Sequence, residues 1–197
     1  MDSAAFSPDR HTLASGHADG TIQLWDVTDP AHPRPIGPIL LGGASVAFSP
    51  HGHMLASGDY DSTIRLVDVA DPAHPLPLGL TMIGGGAAAS SLAFSPDGNK
   101  LASGEYGGTV RLWDVTDIAD PQPLGRLLTG STVSVDSVAF SPDGHTLASG
   151  SEDGTTRLWN LNVQYAIDRI CAAVGGLTPR QWSTYIPRLP YQATCVP

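Results

Sequence analysis

The side chains able to do chemistry are seven histidines, nineteen aspartates and glutamates, and two cysteines among 197 residues. His11, His51, His53 and His145 lie in or beside Ser-Pro-Asp-Gly-type segments. His32 and His74 lie in Asp-Pro-Ala-His-Pro segments, and His17 lies just ahead of Asp19-Gly20. Histidines in such turns are read as solvated, because a metal needs further ligands converging on it. His51 and His53 alternate with no partner ligand, and Cys171 and Cys195 lack the CxxC pairs of a zinc site. No metal and no cofactor is expected. GxSxG, GxGxxG and Walker loops are absent, and the Gly-rich segment 84–91 is not followed by a helix carrying a lysine. Asp59, Glu105 and Glu152 could serve acid–base work in pairs, but no spacing selects one pair. The chain is therefore read as a non-enzyme. Tyr60 and Tyr106 stand beside Asp59 and Glu105, and aromatic faces flanked by carboxylates suit a cationic partner.

These residues are positioned by a repeat. Phe6, Phe48, Phe94 and Phe140 open its copies at separations of 42, 46 and 46 residues. Trp25, Val67, Trp113 and Trp159 each follow 19 residues later. A period of this length, closed by a Trp-Asp pair, indicates four-stranded propeller blades. In the last copy, 135–140, 146–150 and 156–161 read as strands. Ser-Pro-Asp-Gly forms the first turn and Glu152-Asp153-Gly154 the second. Apolar or small residues on both faces fit a sheet covered on both sides. The segments PRPIGPILL, PLPLGLTMI and PQPLGRLL read as outer edge strands, where proline is tolerated. The linkers 29–35, 71–77 and 117–123 read as extended and exposed.

After Leu161 the period stops. Val163, Ala166, Ile167, Ile170, Cys171 and Val174 share one helical face, and Gly175-Gly176 can end that helix. Thr178-Pro179 with Gln181 reads as the start of a second helix. The expected fold is all-β. It has four four-stranded antiparallel blades, at about 4–45, 46–91, 92–137 and 138–161, the last lacking its outer strand, and a short helical cap over 162–197. That cap should lie on the last blade, and Cys171 and Cys195 read equally as a disulfide or as two buried thiols.

Net charge is −9, with the repeats acidic and the tail basic, which argues against nucleic acid or an anionic membrane as partner. No apolar run reaches the length of a membrane span and no signal peptide is visible, so the cytoplasm is the expected location.

The recurrent residues resemble the WD-repeat β-propeller family over 4–161. That resemblance implies a buried hydrogen-bond network of His, Ser or Thr, Asp and Trp in each blade. Ser15, Asp19 and Trp25 match it in the first copy, and Ser149, Asp153 and Trp159 in the fourth. The second copy offers Ser57 and Asp61 but has Val67 for Trp; the third offers Ser103 and Trp113 but has Gly107 for Asp. The family's Gly-His pair is absent throughout. The resemblance also places Asp59, Tyr60, Glu105, Tyr106 and Glu152 on the propeller's top-face rim, as either solvated turns or a partner-binding surface. It implies a non-catalytic scaffold for a protein or peptide, with a basic segment suiting its acidic rim, or else a ligand- or ion-sensing module regulating a kinase, NTPase or transcription regulator. Period, proline-rich joints and tail are similar to the WD-repeat arrays of high-GC actinobacteria, so Met1 reads as a truncation point or a late start. Four such blades should leave an open arc that self-associates or pairs with missing blades.

Overall fold

Three short strands and a proline-bearing fourth recur because the turns between them are fixed locally. In a computed structural model, residues 1–162 are described apart from Ala44, Gly84, Gly85 and the side chain of Leu80. The first sheet comprises β1 (Ser3–Phe6), β2 (Thr12–Gly16), β3 (Thr21–Asp26) and β4 (Arg34–Leu41). The second comprises β5 (Ser45–Phe48), β6 (Met54–Gly58), β7 (Thr63–Asp68) and β8 (Leu76–Ile83). β9 (Ala89–Phe94), β10 (Lys100–Glu105), β11 (Thr109–Asp114), β12 (Gln122–Pro123) and β13 (Leu128–Thr129) form the third. β14 (Val135–Phe140), β15 (Thr146–Ser151) and β16 (Thr156–Asn160) form the fourth. Neighbouring strands are antiparallel and follow chain order, so the described residues are all-β, in four meander blades. Among the described residues the fourth blade has three strands, as expected. The helical cap, Cys171 and Cys195 lie outside the described residues. No helix among the described residues is long and apolar enough to cross a membrane.

The core lies between blades. Ala14, Ile22 and Leu24 of the first blade close on Val46, Leu55, Val67 and Val69 of the second. Ala56, Ile64 and Leu66 of the second close on Leu92, Leu101, Trp113 and Val115 of the third. Innermost strands line up in the order β1, β5, β9, β14, and no comparable packing returns from β14 to β1 among the described residues. Hydrogen bonds latch them from blade to blade: Val46 N donates to Ser3 Oγ at 3.2 Å, and Val138 N to Ser91 Oγ at 3.1 Å.

The proline-rich linkers are not extended. Asp29 and Asp71 fold them into turns, accepting from the backbone N–H of Ala31 and Ala73 and pairing with His32 and His74 at 2.9 and 2.8 Å. An Asp two residues ahead of an N–H closes such a turn by itself, so the prolines only shape its flanks. The turn of one blade then presses on the outer strand of the blade before it. A Cβ on Gly37 would sit 2.6 Å from the Pro72 carbonyl oxygen, and one on Gly79 would sit 2.2 Å from that of Ile118. Gly125 is the third equivalent, and among the described residues beyond its chain neighbours a Cβ there would meet nothing within 4 Å. Here the expected outer strand is split. It meets β11 at Trp113↔Pro123 and Val110↔Leu128, with β12 and β13 as two fragments. No described turn of a following blade holds the middle against β11.

The first turn of each repeat is closed by Ser7, Ser49, Ser95 or Ser141, all accepting a backbone N–H from across the turn. The left-handed residue of this turn is Gly52, Gly98 or Gly144 in three copies but Arg10, at φ 65°, in the first. In the second turn it is Gly20, Gly108 or Gly154, but Ser62, at φ 69°, in the second copy. A side chain at this φ is strained by its own Cβ, at a cost exceeding the entropy a glycine loses on folding. Arg10→Gly and Ser62→Gly should therefore each stabilise the chain by about 0.5–1 kcal/mol, read as a higher denaturation midpoint at unchanged slope.

Candidate partner-binding rim

The turn joining the second and third strands of each blade carries two adjacent positions with opposite fates. His17, Asp59, Glu105 and Ser151 hold the inner position and turn into their own blades. Ala18, Tyr60, Tyr106 and Glu152 hold the outer position and are exposed.

Every inner residue is engaged. His17 Nε2 lies 3.1 Å from Ser15 Oγ, so this histidine is half-buried and bonded, not solvated as its turn location suggests. Asp59 pairs with Arg65 at 3.3 Å, and the same guanidinium reaches Asp61 at 3.6 Å. Glu105 is only 1% exposed, which corrects its expected place on the open rim. Its Oε2 accepts from Thr109 Oγ1 at 2.5 Å. In the other blades that threonine position bonds an Asp two residues before it: Thr21 to Asp19 and Thr155 to Asp153, both at 2.6 Å, and Thr63 to Asp61. Gly107 removes that Asp in the third blade. The longer Glu105 side chain, entering from the preceding strand end, supplies the missing carboxylate. Ser151 bonds Ser131 Oγ at 2.7 Å and the Ser134 carbonyl at 2.8 Å.

The outer residues make the surface. Tyr60 and Tyr106 stack with ring centroids 6.5 Å apart and planes inclined by 28°, and remain 48% and 52% exposed. Tyr60 Oη donates to Asp2 Oδ2 at 3.2 Å, and this bond raises the phenol above its ordinary value. Met1, Asp2, Ala18, Ala89 and Ser90 complete an open depression around the two rings. Of the five residues predicted for the rim, the structure brings Tyr60 and Tyr106 together and holds Asp59 in an ion pair with Arg65. Glu152 is exposed on the fourth blade, and among the described residues no contact joins it to the tyrosines. Asp2 was missed, because its neighbour Tyr60 is 58 residues away. His17 was missed although its spacing of two from Ser15 was the available signal.

Beneath the rim, Trp25 Nε1 donates to Ser15 Oγ at 2.9 Å, Trp113 to Ser103 at 3.3 Å and Trp159 to Ser149 at 2.9 Å. The same indole-to-serine bond at the same register in three of four blades is a family-level signature. The profile of the WD domain, G-beta repeat, matches the chain over residues 2–26, 42–68, 80–114 and 121–160, more than half its length. The chain belongs to the WD-repeat family. No curated protein matches it. The second blade lacks this indole-to-serine bond. With Val67 in place of Trp, the buried Ser57 Oγ has no hydrogen-bond partner among the described residues. The first blade instead recovers a histidine for its serine from the hairpin, through His17. Arg111 lies over the Trp113 ring at 5.3 Å, a cation–π contact in the third blade.

The network predicts unequal responses at equivalent serines. Ser15→Ala leaves the Trp25 indole N–H and His17 without their common partner and should cost about 1–2 kcal/mol. Ser57→Ala removes an orphaned hydroxyl and should leave the thermal midpoint unchanged or raise it. A second expectation concerns pH. Asp9, Asp97 and Asp143 are held below the ordinary value of 3.8 by hydroxyls of Ser7, Ser95 and Ser141. Asp19, Asp61 and Asp153 are lowered in the same way by Thr21, Thr63 and Thr155. Folded values below unfolded ones give stability that is present above 3.8 and lost as pH falls through the folded values. Urea midpoints should hold steady from neutral pH to just above the ordinary Asp value and decline below it.

Proposed function

We propose that this chain is a non-catalytic WD-repeat scaffold whose rim, centred on Tyr60 and Tyr106, binds a protein or peptide through a basic or cationic segment. WD-repeat domains generally serve as protein-interaction scaffolds. The observation that supports this rim over other surfaces is the exposed, stacked tyrosine pair with Asp2 against it. Two ring faces fixed by stacking present a surface whose side-chain entropy is already spent, and their quadrupoles favour a cation. Asp2 supplies a carboxylate beside the rings, and a chain of net charge −9 adds a field that draws positive segments. Asp59 contributes little free charge because Arg65 neutralises it, and the buried Glu105 serves its own blade.

A labelled Lys/Arg-rich peptide should bind more tightly than an acidic peptide of the same length, with affinity falling as salt rises. Tyr60→Ala with Tyr106→Ala should cost about 1–2 kcal/mol for each ring lost, as interface anchors do. The circular dichroism spectrum and melting curve should be unchanged, since both rings are already half in solvent. Equal binding of the acidic peptide, or full affinity in the double variant, would remove the rim from consideration.

A further inference from the structure

Among the described residues the four blades leave two faces uncovered, and the interior of the same chain shows what covers such faces. At the first two internal joints, a trailing face built on Ala14, Ile22 and Leu24, or on Ala56, Ile64 and Leu66, meets a leading face built on Phe48, Leu55 and Val67, or on Phe94, Leu101 and Trp113. Leu24, Leu66 and Leu112 are buried, whereas Leu158, the fourth equivalent, is 73% exposed. Phe48 and Phe94 pack on the blade before them, whereas Phe6 is 63% exposed. Leu13 flanks Phe6 half-buried, although its equivalents Leu55, Leu101 and Leu147 are fully buried. The polar latch is open at the same two ends. Ser137 stands where Ser3 and Ser91 accept a backbone N–H from the following blade, and it is exposed. Ala4 stands where Val46 and Val138 donate that N–H, with matching strand register: Ala4↔Ser15, Val46↔Ser57, Val138↔Ser149.

We propose that a second copy of this chain covers both ends. The fourth blade of each copy seats on the first blade of the other, so that Leu158 meets the partner's Phe6 face and Ser137 takes the N–H of the partner's Ala4. The two faces are complementary to each other and not to themselves, since one is the trailing and the other the leading half of the joint this chain repeats internally. Such a heterologous contact either closes or polymerises. Propellers close with about four to eight blades, and two copies of four reach that range. Thr156, at the position of Ile22, Ile64 and Val110, keeps a β-branched outline on the trailing face, so the shape of the joint is retained.

Light scattering of the full chain over a wide concentration range should give twice the 20.5 kDa chain mass. Phe6→Glu and Leu158→Glu should each run as single chains with unchanged circular dichroism, because both side chains are exposed in the isolated copy. Mixing the two variants should restore a two-chain species, since the mixed pair keeps one unaltered joint. A wild-type chain that stays single at every concentration would overturn the proposal, and would mean that other residues, including 163–197, satisfy these faces. Either single variant pairing with itself would show like faces meeting and would also overturn it, as would open polymers in place of a two-chain species. None of these outcomes bears on peptide binding at the tyrosine rim, which is read separately.

Discussion

Burial between successive sheets is the constraint on which everything else here depends. Each blade has apolar residues on both faces, so a single blade cannot satisfy itself and only a row of blades excludes water. Ala14, Ile22 and Leu24 form half of a core whose other half arrives one repeat later, as Val46, Leu55 and Val67. The period of the sequence is therefore the period of the core. It fixes where each turn emerges, and through that the side by side placement of Tyr60 and Tyr106, which belong to different blades.

Within this frame the polar positions are less strictly held. One inner turn position carries His17, Asp59, Glu105 and Ser151 in the four blades, and each finds a different internal partner. Glu105 replaces the carboxylate lost at Gly107, and His17 gives Ser15 the imidazole that the family places elsewhere. Where no such replacement exists, beside Val67, a buried hydroxyl is left without a partner among the described residues. The packing tolerates these exchanges because the leucine positions, Leu13, Leu55, Leu101 and Leu147 with Leu24, Leu66, Leu112 and Leu158, do not change with them. A hydrogen-bond network under a hairpin adds local rigidity to a blade already held by its neighbours.

The outer edge shows the same dependence on a neighbour. Gly37 and Gly79 adopt positive φ and admit the carbonyls of the next blade's Asp-closed turn. Gly125 has the same conformation but no such turn against it among the described residues, and the outer strand there is reduced to two short pairings. Strand continuity at the periphery is thus conferred by the following blade, as burial is at the centre.

The sequence by itself determined the blade count, the strand order, the turns and the serine–tryptophan pairs. Each of these is encoded within one period by residues a few positions apart, and the repetition of Phe, Ser-Pro-Asp-Gly and Trp makes the pattern readable. It also singled out Tyr60 and Tyr106. Only the tertiary structure decided which neighbours on the rim face outward. Adjacent residues on one turn, Asp59 and Tyr60 or Glu105 and Tyr106, differ in burial because one bonds partners of its own blade and the other meets the ring of a neighbouring blade at the surface. Contacts across repeats, such as Asp2 with Tyr60, carry no local signal, because their spacing in the chain follows from how sheets stack and not from any motif. The linkers read as extended for a related reason: composition registers their prolines, whereas the Asp side chain that closes each turn is recognised by where its carboxylate points.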